Sequence, residues 1–257
     1  MKSFNRRSLF VSTLSAGIAA SAFADEQCGE RPNTAPALQP PLLLTDWPWL
    51  ARYRDDNAKL IASGVKVDTV FLGDSITEGW VRADAEFFSK GNVGRGISAQ
   101  TTPQILVRMH ADVIALKPRV VHIMAGTNDI AGNTGPMTAE ETQGNIRSMV
   151  ELAHAHGIRV ILASIPPADR FPWKPGLDTG NKIAAMNAWL KAYAARAGCV
   201  YADYWNVLRT DSLGMREGLS SDHVHPTKAG YAIMAPVAER AIKQALALPA
   251  PRKTAVD

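Results

Sequence analysis

Short apolar segments alternate with longer amphipathic ones along most of this chain, and this alternation constrains the fold more than any other feature. Runs rich in β-branched or aromatic residues predict strands at Val67–Leu72, Val120–Met124, Ile158–Ile165 and Val200–Tyr204, with a short one around Asn92–Val93. Helical periodicity predicts helices at about 46–63, 76–89, 102–116, 139–156, 180–197 and 227–246. This order indicates an α/β fold with a parallel sheet covered on both faces. Ligands bind such sheets at the carboxyl ends of the strands, so we expect the chemistry there.

Local signals mark several helix ends. Thr138 and Glu141 have the spacing of a capping box, and Gly157 and Gly198 stand where two helices should end. Pro236 lies inside the last helical segment and predicts a kink or a split, because proline has no N–H for the helical hydrogen bonds.

The N-terminus has the pattern of an export signal. Lys2, Arg6 and Arg7 precede an apolar run too short to predict a membrane span, and the small residues Ala22 and Ala24 suit cleavage. The paired arginines fit a twin-arginine signal, with Sec export and an amphipathic helix as the alternatives. The chain has 28 Lys and Arg against 24 Asp and Glu, so removal of these three basic residues leaves 25 against 24, a net charge of +1. We expect a periplasmic or secreted protein that is nearly neutral, which disfavours a nucleic-acid binder.

The domain organisation follows from these patterns. We predict a signal peptide at 1–24, a proline-rich lead-in at 25–41, one folded domain at 42–248 and a tail at 249–257. Cys28 and Cys199 are too few for a disulfide-rich scaffold or a four-thiolate zinc site. Export permits a bridge between them, and a buried free thiol at Cys199 is the alternative. The residues before Cys28 do not form a lipobox, so no lipid anchor is predicted.

A Gly-Asp-Ser segment follows the first predicted strand directly. Gly73-Asp74-Ser75 stands at a strand-to-helix junction, where a serine Oγ lies above the sheet and helix N–H groups stabilise developing negative charge. A serine that only caps the helix is the alternative interpretation.

A histidine and a carboxylate precede the last predicted helix. Asp222 lies three residues before His225, close enough to accept from its Nδ1–H while Nε2 takes a proton from a serine. Pro226 holds His225 extended and suits a helix start. His223 is a rival base. A His-x-His metal pair is the other rival, but it lacks a third ligand nearby, so we predict no metal.

Two more segments offer donors for an oxyanion. Asn128 follows the strand at Val120–Met124, and a turn at 94–102 carries backbone N–H groups toward the same end of the sheet. An Asx turn at Asn128 and ordinary glycine turns are the structural alternatives.

These four segments resemble, in order, the motif blocks of the SGNH hydrolases, also called the GDSL esterase/lipase family. The resemblance runs from about 67 to 245. It implies a single-domain, three-layer α/β/α sandwich with a flavodoxin-like parallel sheet. It also implies Ser75 as nucleophile, His225 as base and Asp222 as the residue that orients it, with an oxyanion hole of the Ser75 N–H, the Asn128 side chain and a glycine N–H from the second block.

The second block departs from the family pattern at two positions. Ala99 stands where the family has the oxyanion glycine, so its N–H remains, but a positive φ there would add strain of about 1–2 kcal/mol. Gly94 replaces the usual asparagine.

The resemblance implies a serine esterase that needs no cofactor and acts on a small-molecule or glycan ester. Members similar to platelet-activating-factor acetylhydrolase and the carbohydrate acetylesterases favour short acyl groups, above all O-acetyl sugars. Phe171 and Trp173, in a proline-rich loop after a strand, are candidate substrate contacts, and packing within that loop is the alternative. The alternative activities are a lysophospholipase or thioesterase on longer acyl chains, and a glycan-binding protein without catalysis.

Overall fold

The computed structural model describes residues 45–254, which lie within one compact unit. The predicted signal peptide, the lead-in and Cys28 lie outside the described residues, as does the end of the tail. Those predictions, including a bridge to Cys199, therefore stay predictions. The Cys199 thiol is partly buried 3.9 Å from His154 Nε2, and burial raises its pKa to about 12.

The described residues form a five-stranded parallel sheet in the order β2-β1-β3-β4-β5. The strands are β1 (Thr69–Gly73), β2 (Asn92–Gly96), β3 (Val120–Met124), β4 (Arg159–Ala163) and β5 (Val200–Ala202). This is the strand order of flavodoxin-like sheets, which place their ligand crevice between the first and third strands. The predicted α/β fold is confirmed.

Helices cover both faces of the sheet. They are α1 (Arg54–Ser63), α2 (Ser75–Ala83), α3 (Thr102–Val107), α4 (Met109–Asp112), α5 (Thr127–Ala131), α6 (Ala139–Ala155), α7 (Thr179–Arg196), α8 (Tyr204–Leu208) and α9 (Lys228–Ala247), with 3-10 turns at Leu50–Tyr53, Phe87–Ser89 and Ile114–Leu116. None of the helices between residues 45 and 254 is long and apolar enough to cross a membrane.

The two hydrophobic clusters follow from the alternation of side chains along each strand. Val70 and Leu72 pack into one cluster with residues of α3, α4, α6 and α7, whereas Phe71 between them packs into the other with α2, α8 and α9. Successive strand residues point to opposite faces, so one strand supplies both layers of the core. Trp80 of α2 is fully buried in the second cluster.

Most predicted elements are present, with altered ends. The capping box of Thr138 and Glu141 starts α6, and Gly157 and Gly198 follow α6 and α7 with φ of 74° and 69°. The split predicted at Pro236 is wrong, because α9 continues through it. A proline removes one hydrogen-bond donor, whereas the buried side chains before and after it hold both halves of α9 against the sheet.

The short helices α5 and α8 are missing from the predicted set. Each has only five residues, fewer than two turns, so helical periodicity cannot reveal it.

Candidate active site

Ser75 is the first residue of α2, two residues beyond the end of β1. The cap of this helix is Asp74, whose Oδ1 accepts from the Ile76 N–H at 3.0 Å, so the capping role considered for Ser75 belongs to its neighbour. Asp74 is only 1% exposed, and this burial raises the pKa of its carboxyl to about 6. As the first helical residue, Ser75 has a backbone N–H with no acceptor inside the helix.

The loop before α9 brings a histidine and an aspartate to this serine. Ser75 Oγ lies 2.8 Å from His225 Nε2, and His225 Nδ1 lies 2.6 Å from Asp222 Oδ2. The other Asp222 oxygen accepts from the backbone N–H groups of His225 at 2.7 Å and Val224 at 3.0 Å. Burial alone would raise the pKa of Asp222, but the hydrogen bonds and charge of His225 hold it well below its usual value.

The charge on Asp222 decides the tautomer of the neutral ring. An ionised carboxylate only accepts hydrogen bonds, so Nδ1 of His225 carries the proton and Nε2 is the acceptor for the Ser75 hydroxyl. This order of donors lets a serine lose its proton to the imidazole as it attacks a carbonyl carbon.

His223, the rival base, points to a different loop. Its Nδ1 lies 3.2 Å from Asp169 Oδ1, and the Arg170 guanidinium donates to its Nε2 at 2.5 Å. No cluster of three His, Cys, Asp or Glu side chains suited to a metal occurs within residues 45–254.

The turn after β2 lies against the serine helix. Glu78, one turn after Ser75, accepts from the Ser98 backbone N–H at 2.9 Å and from its hydroxyl at 2.5 Å. The next residue, Ala99, has a φ of 65°, the left-handed region that favours glycine. Its N–H donates to no acceptor within residues 45–254.

The turn predicted at 94–102 begins later, because Gly94 lies within β2, and the two departures from the family pattern, Ala99 in the turn and Gly94 in the strand, have different consequences. The positive φ of Ala99 is a real strain, whereas Gly94 meets a steric need, because a Cβ at that position would lie 2.1 Å from Cγ2 of Val81.

Asn128 lies in α5, after β3, and its amide is held at both ends. Its Nδ2 donates to the Gln100 carbonyl at 2.9 Å, and its Oδ1 accepts from Asn133 Nδ2 at 2.8 Å. A primary amide has two N–H groups, so one remains for another acceptor. The contact with Gln100 places this side chain beside the turn that contains Ala99, at the carboxyl end of the sheet.

The two aromatic residues proposed as substrate contacts differ in exposure. Phe171 is 1% exposed and belongs to the core, whereas Trp173 is 37% exposed and stacks on it with ring centroids 5.2 Å apart. A buried ring cannot stack on a ligand, so Phe171 has no face available to a substrate. Of the two rings, only that of Trp173 is exposed to solvent. Its Nε1 donates to Asn133 Oδ1 at 3.2 Å, which places the indole near Asn128.

A buried arginine joins the strands beneath the site. Arg108 donates to Asp112 at 2.5 Å, to the Gln100 side chain at 2.7 Å and to the carbonyls of Gly73 and Arg95 at 3.2 Å. It is 0% exposed, and burial lowers the pKa of its guanidinium. The ends of β1 and β2 and the turn that follows β2 are thus tied to one side chain.

Sequence reasoning missed Glu78, Arg108 and Asn133, which position the site. Glu78 carries one usable signal, since it lies one helical turn after Ser75 and so shares its side of α2. Arg108 and Asp112 have the spacing of a helical ion pair, which does not reveal that Arg108 also reaches the Gly73 carbonyl 35 residues away. Asn133 lies in a loop, where no periodic pattern indicates its contact with Asn128.

The profile of the GDSL-like Lipase/Acylhydrolase family matches residues 71–233, which include all four segments of the candidate site. The chain belongs to this family. Two of the solved structures similar to it are, by name, a candidate acylhydrolase and a GDSL-like lipase. The chain is therefore an enzyme of the acylhydrolase class.

Two solved structures from Bacteroides are similar to this chain over their whole length. A candidate acylhydrolase of Bacteroides fragilis NCTC 9343 is 45% identical, with a TM-score of 0.74, and the match covers 78% of this chain and 99% of that one. A GDSL-like lipase of Bacteroides thetaiotaomicron VPI-5482 is 40% identical, with a TM-score of 0.73, over 78% and 100% of the two chains.

A curated relative is matched over part of its length. The uncharacterized lipoprotein YqeF of Bacillus subtilis strain 168 is 31% identical over 119 residues, which are 39% of this chain and 49% of that protein. The match thus spans about half the length of this relative.

Proposed function

We propose that this acylhydrolase is an exported serine esterase that cleaves carboxylic esters through an acyl-serine intermediate. The observation that carries the proposal is the continuous hydrogen-bond chain from Ser75 Oγ through His225 to Asp222, with distances of 2.8 and 2.6 Å. A set of three side chains in this order is the arrangement that activates serine for acyl transfer on several unrelated folds.

The chemistry begins with attack of Ser75 Oγ on the ester carbonyl carbon while its proton passes to His225 Nε2. The negative charge that develops on the carbonyl oxygen is bound by the N–H groups of Ser75, Ala99 and the Asn128 side chain. Collapse of the tetrahedral intermediate breaks the bond to the alcohol oxygen, which takes the proton from Nε2. Water then attacks the acyl-serine with His225 as base and releases the carboxylic acid.

Asp222 remains ionised throughout this cycle. Its low pKa keeps it negative at every pH at which the base is active, and it stabilises the imidazolium formed in each half-reaction.

The favoured substrate carries a short acyl group, with O-acetyl sugars as the leading natural class. The support is the partly exposed indole of Trp173, attached through Asn133 to the proposed oxyanion donor Asn128. An aromatic face next to polar groups suits the apolar face and the hydroxyls of a sugar ring. Arg170, whose side chain is 59% exposed, lies on the same loop and adds hydrogen-bond donors.

Export is supported by the basic, apolar and small-residue pattern of the N-terminus. The relative named as a lipoprotein is also consistent with a position outside the cytoplasm. N-terminal sequencing of the protein recovered from the periplasm or medium tests this proposal: a chain that starts after Ala24 supports export, and an uncleaved chain found only in the cytoplasm contradicts it.

Ser75→Ala tests the esterase mechanism, with Ser63→Ala on the exposed end of α1 as the matched control. We expect the first variant to remain folded but to lose hydrolysis of acetyl aryl esters and labelling by an organophosphate, and the control to keep both. A comparison of acetyl, octanoyl and palmitoyl esters, followed by acetylated glycans and lysophospholipids, then defines the substrate. Full turnover by Ser75→Ala would refute the mechanism, and a preference for palmitoyl esters would favour the lysophospholipase or thioesterase instead.

A further inference from the structure

Two side chains outside the proposed catalytic machinery, Trp173 and Asn133, form a hydrogen-bond chain that ends at the proposed oxyanion donor Asn128. The Trp173 indole donates to Asn133 Oδ1 at 3.2 Å, and Asn133 Nδ2 donates to Asn128 Oδ1 at 2.8 Å. We call Trp173, Asn133 and Asn128 the amide relay.

The direction of the amide relay is fixed by chemistry at both ends. An indole N–H only donates, so the Asn133 oxygen must face Trp173. A backbone carbonyl only accepts, so the Asn128 nitrogen must face Gln100. The two amides between these ends are therefore aligned, each accepting on the side of Trp173 and donating toward the site.

This alignment bears on the proposed oxyanion hole. Hydrogen bonds in a chain polarise one another, so a donor to Asn128 Oδ1 makes the N–H groups of the same amide stronger donors. It also opposes rotation of the Asn128 amide, which would turn an oxygen toward the developing negative charge.

The short helix α5 explains how Asn133 reaches this position. The helix ends at Ala131, and its C-cap, Gly132, has a φ of 71°, which turns the chain back. The Asn133 backbone N–H then donates to the Asn128 carbonyl at 3.0 Å, so backbone and side chain both return to Asn128.

We propose that Asn133 and Trp173 are positioning residues that hold and polarise the Asn128 amide for the transition state. The proposal rests on the proposed function, since it requires Asn128 to bind the oxyanion. It also gives the loop that contains Trp173 a role in the rate of reaction, in addition to any contact with substrate.

The test compares kcat and KM of five variants, one of them a control, on an acetyl aryl ester between pH 7 and 9. Asn133→Asp keeps the shape but places an acceptor against Asn128 Oδ1, so the amide turns and kcat falls by about 10²-fold, as when an oxyanion donor is lost. Asn133→Ala removes one hydrogen bond, and Trp173→Phe removes the indole N–H while keeping a ring on Phe171. We expect kcat losses of about 5- to 10-fold and 2- to 5-fold, respectively, with KM nearly unchanged because only transition-state binding is affected.

Trp189→Phe is the matched control, because Trp189 stacks on Tyr193 in α7 and has no part in the amide relay. It should keep the wild-type kcat. Melting temperatures are measured for all variants, since a purely structural role would make kcat follow stability and would not separate Asn133→Asp from Asn133→Ala.

Asn128→Ala separates the proposal from the proposed function. A loss of about 10²-fold in this variant together with wild-type kcat in Asn133→Asp would overturn the relay and leave the esterase mechanism standing. Wild-type kcat in Asn128→Ala itself would overturn both the oxyanion role of Asn128 and the relay. Equal losses in Asn133→Asp and Asn133→Ala that follow their melting temperatures would also refute the relay.

Discussion

Replacement of Ala99 by glycine should stabilise the protein without changing its chemistry. Ala99 has a φ of 65°, where an L-residue with a Cβ has strain of about 1–2 kcal/mol that glycine lacks. The gain is reduced because glycine has more freedom in the unfolded chain, an effect of about 0.4–1 kcal/mol. The difference leaves a net stabilisation of about 0.8 kcal/mol.

The backbone N–H of this residue is present in both proteins, so kcat and KM on an acetyl aryl ester should agree within about twofold. The stability gain corresponds to a rise in Tm of about 2–3 °C for a domain of this size, which differential scanning calorimetry resolves.

The matched control is Ala188→Gly, at an exposed position inside α7. The same chemical change there should lower the stability by about 1 kcal/mol, because a helical alanine has no strain to lose. A Tm of Ala99→Gly at or below that of the wild type would refute the assignment of strain to this turn. A large fall in kcat would instead mean that the alanine methyl group helps to shape the site.

Three other changes test the electrostatics of the site and its support. Asp222→Asn should lower kcat by about 10⁴-fold with little change in fold, because an amide no longer fixes the reactive tautomer of His225; steady-state kinetics near neutral pH would detect it. Asp74→Asn should remove a pH dependence of the free energy of unfolding. The raised pKa of about 6 means that the folded wild type holds a proton more tightly than the unfolded chain, so its stability falls as the pH rises from about 4 to 6 and stays low above that. In urea unfolding, the stability of the variant relative to the wild type should therefore rise over that pH range, by up to about 3 kcal/mol. Parallel profiles of stability against pH would contradict this. Arg108→Met should destabilise by about 3–5 kcal/mol because it leaves the Asp112 carboxylate buried, and the double change with Asp112→Leu should recover part of this loss in the same assay.

The identity of the main secondary-structure elements could be predicted from the sequence because it depends on local patterns. The β3 strand at Val120–Met124 has the predicted ends, and the capping box at Thr138 is a contact between residues three apart. The short helix that contains Asn128 could not be predicted, because five residues are too few for a helical period to repeat.

The candidate catalytic residues could be named from the sequence for a related reason. Ser75 lies shortly after a strand, at the start of a helix, and Asp222 and His225 lie on one loop, so their types and spacing already indicate acyl transfer. Their distances from one another required the structure, since the two segments are 150 residues apart in the chain.

The sequence by itself determined the layers of the fold, the order of the motifs and the presence of an alanine at position 99, in the turn after β2. Only the tertiary structure decided how that turn is held, because its supports come from separate elements: Glu78 on α2 accepts from Ser98, Arg108 donates to the Gln100 side chain, and Asn128 on α5 donates to the Gln100 carbonyl. It also gave Ala99 its left-handed backbone and directed Trp173 through Asn133 to Asn128. These properties depend on which side chains meet in space, and a pattern of neighbours along the chain does not specify that.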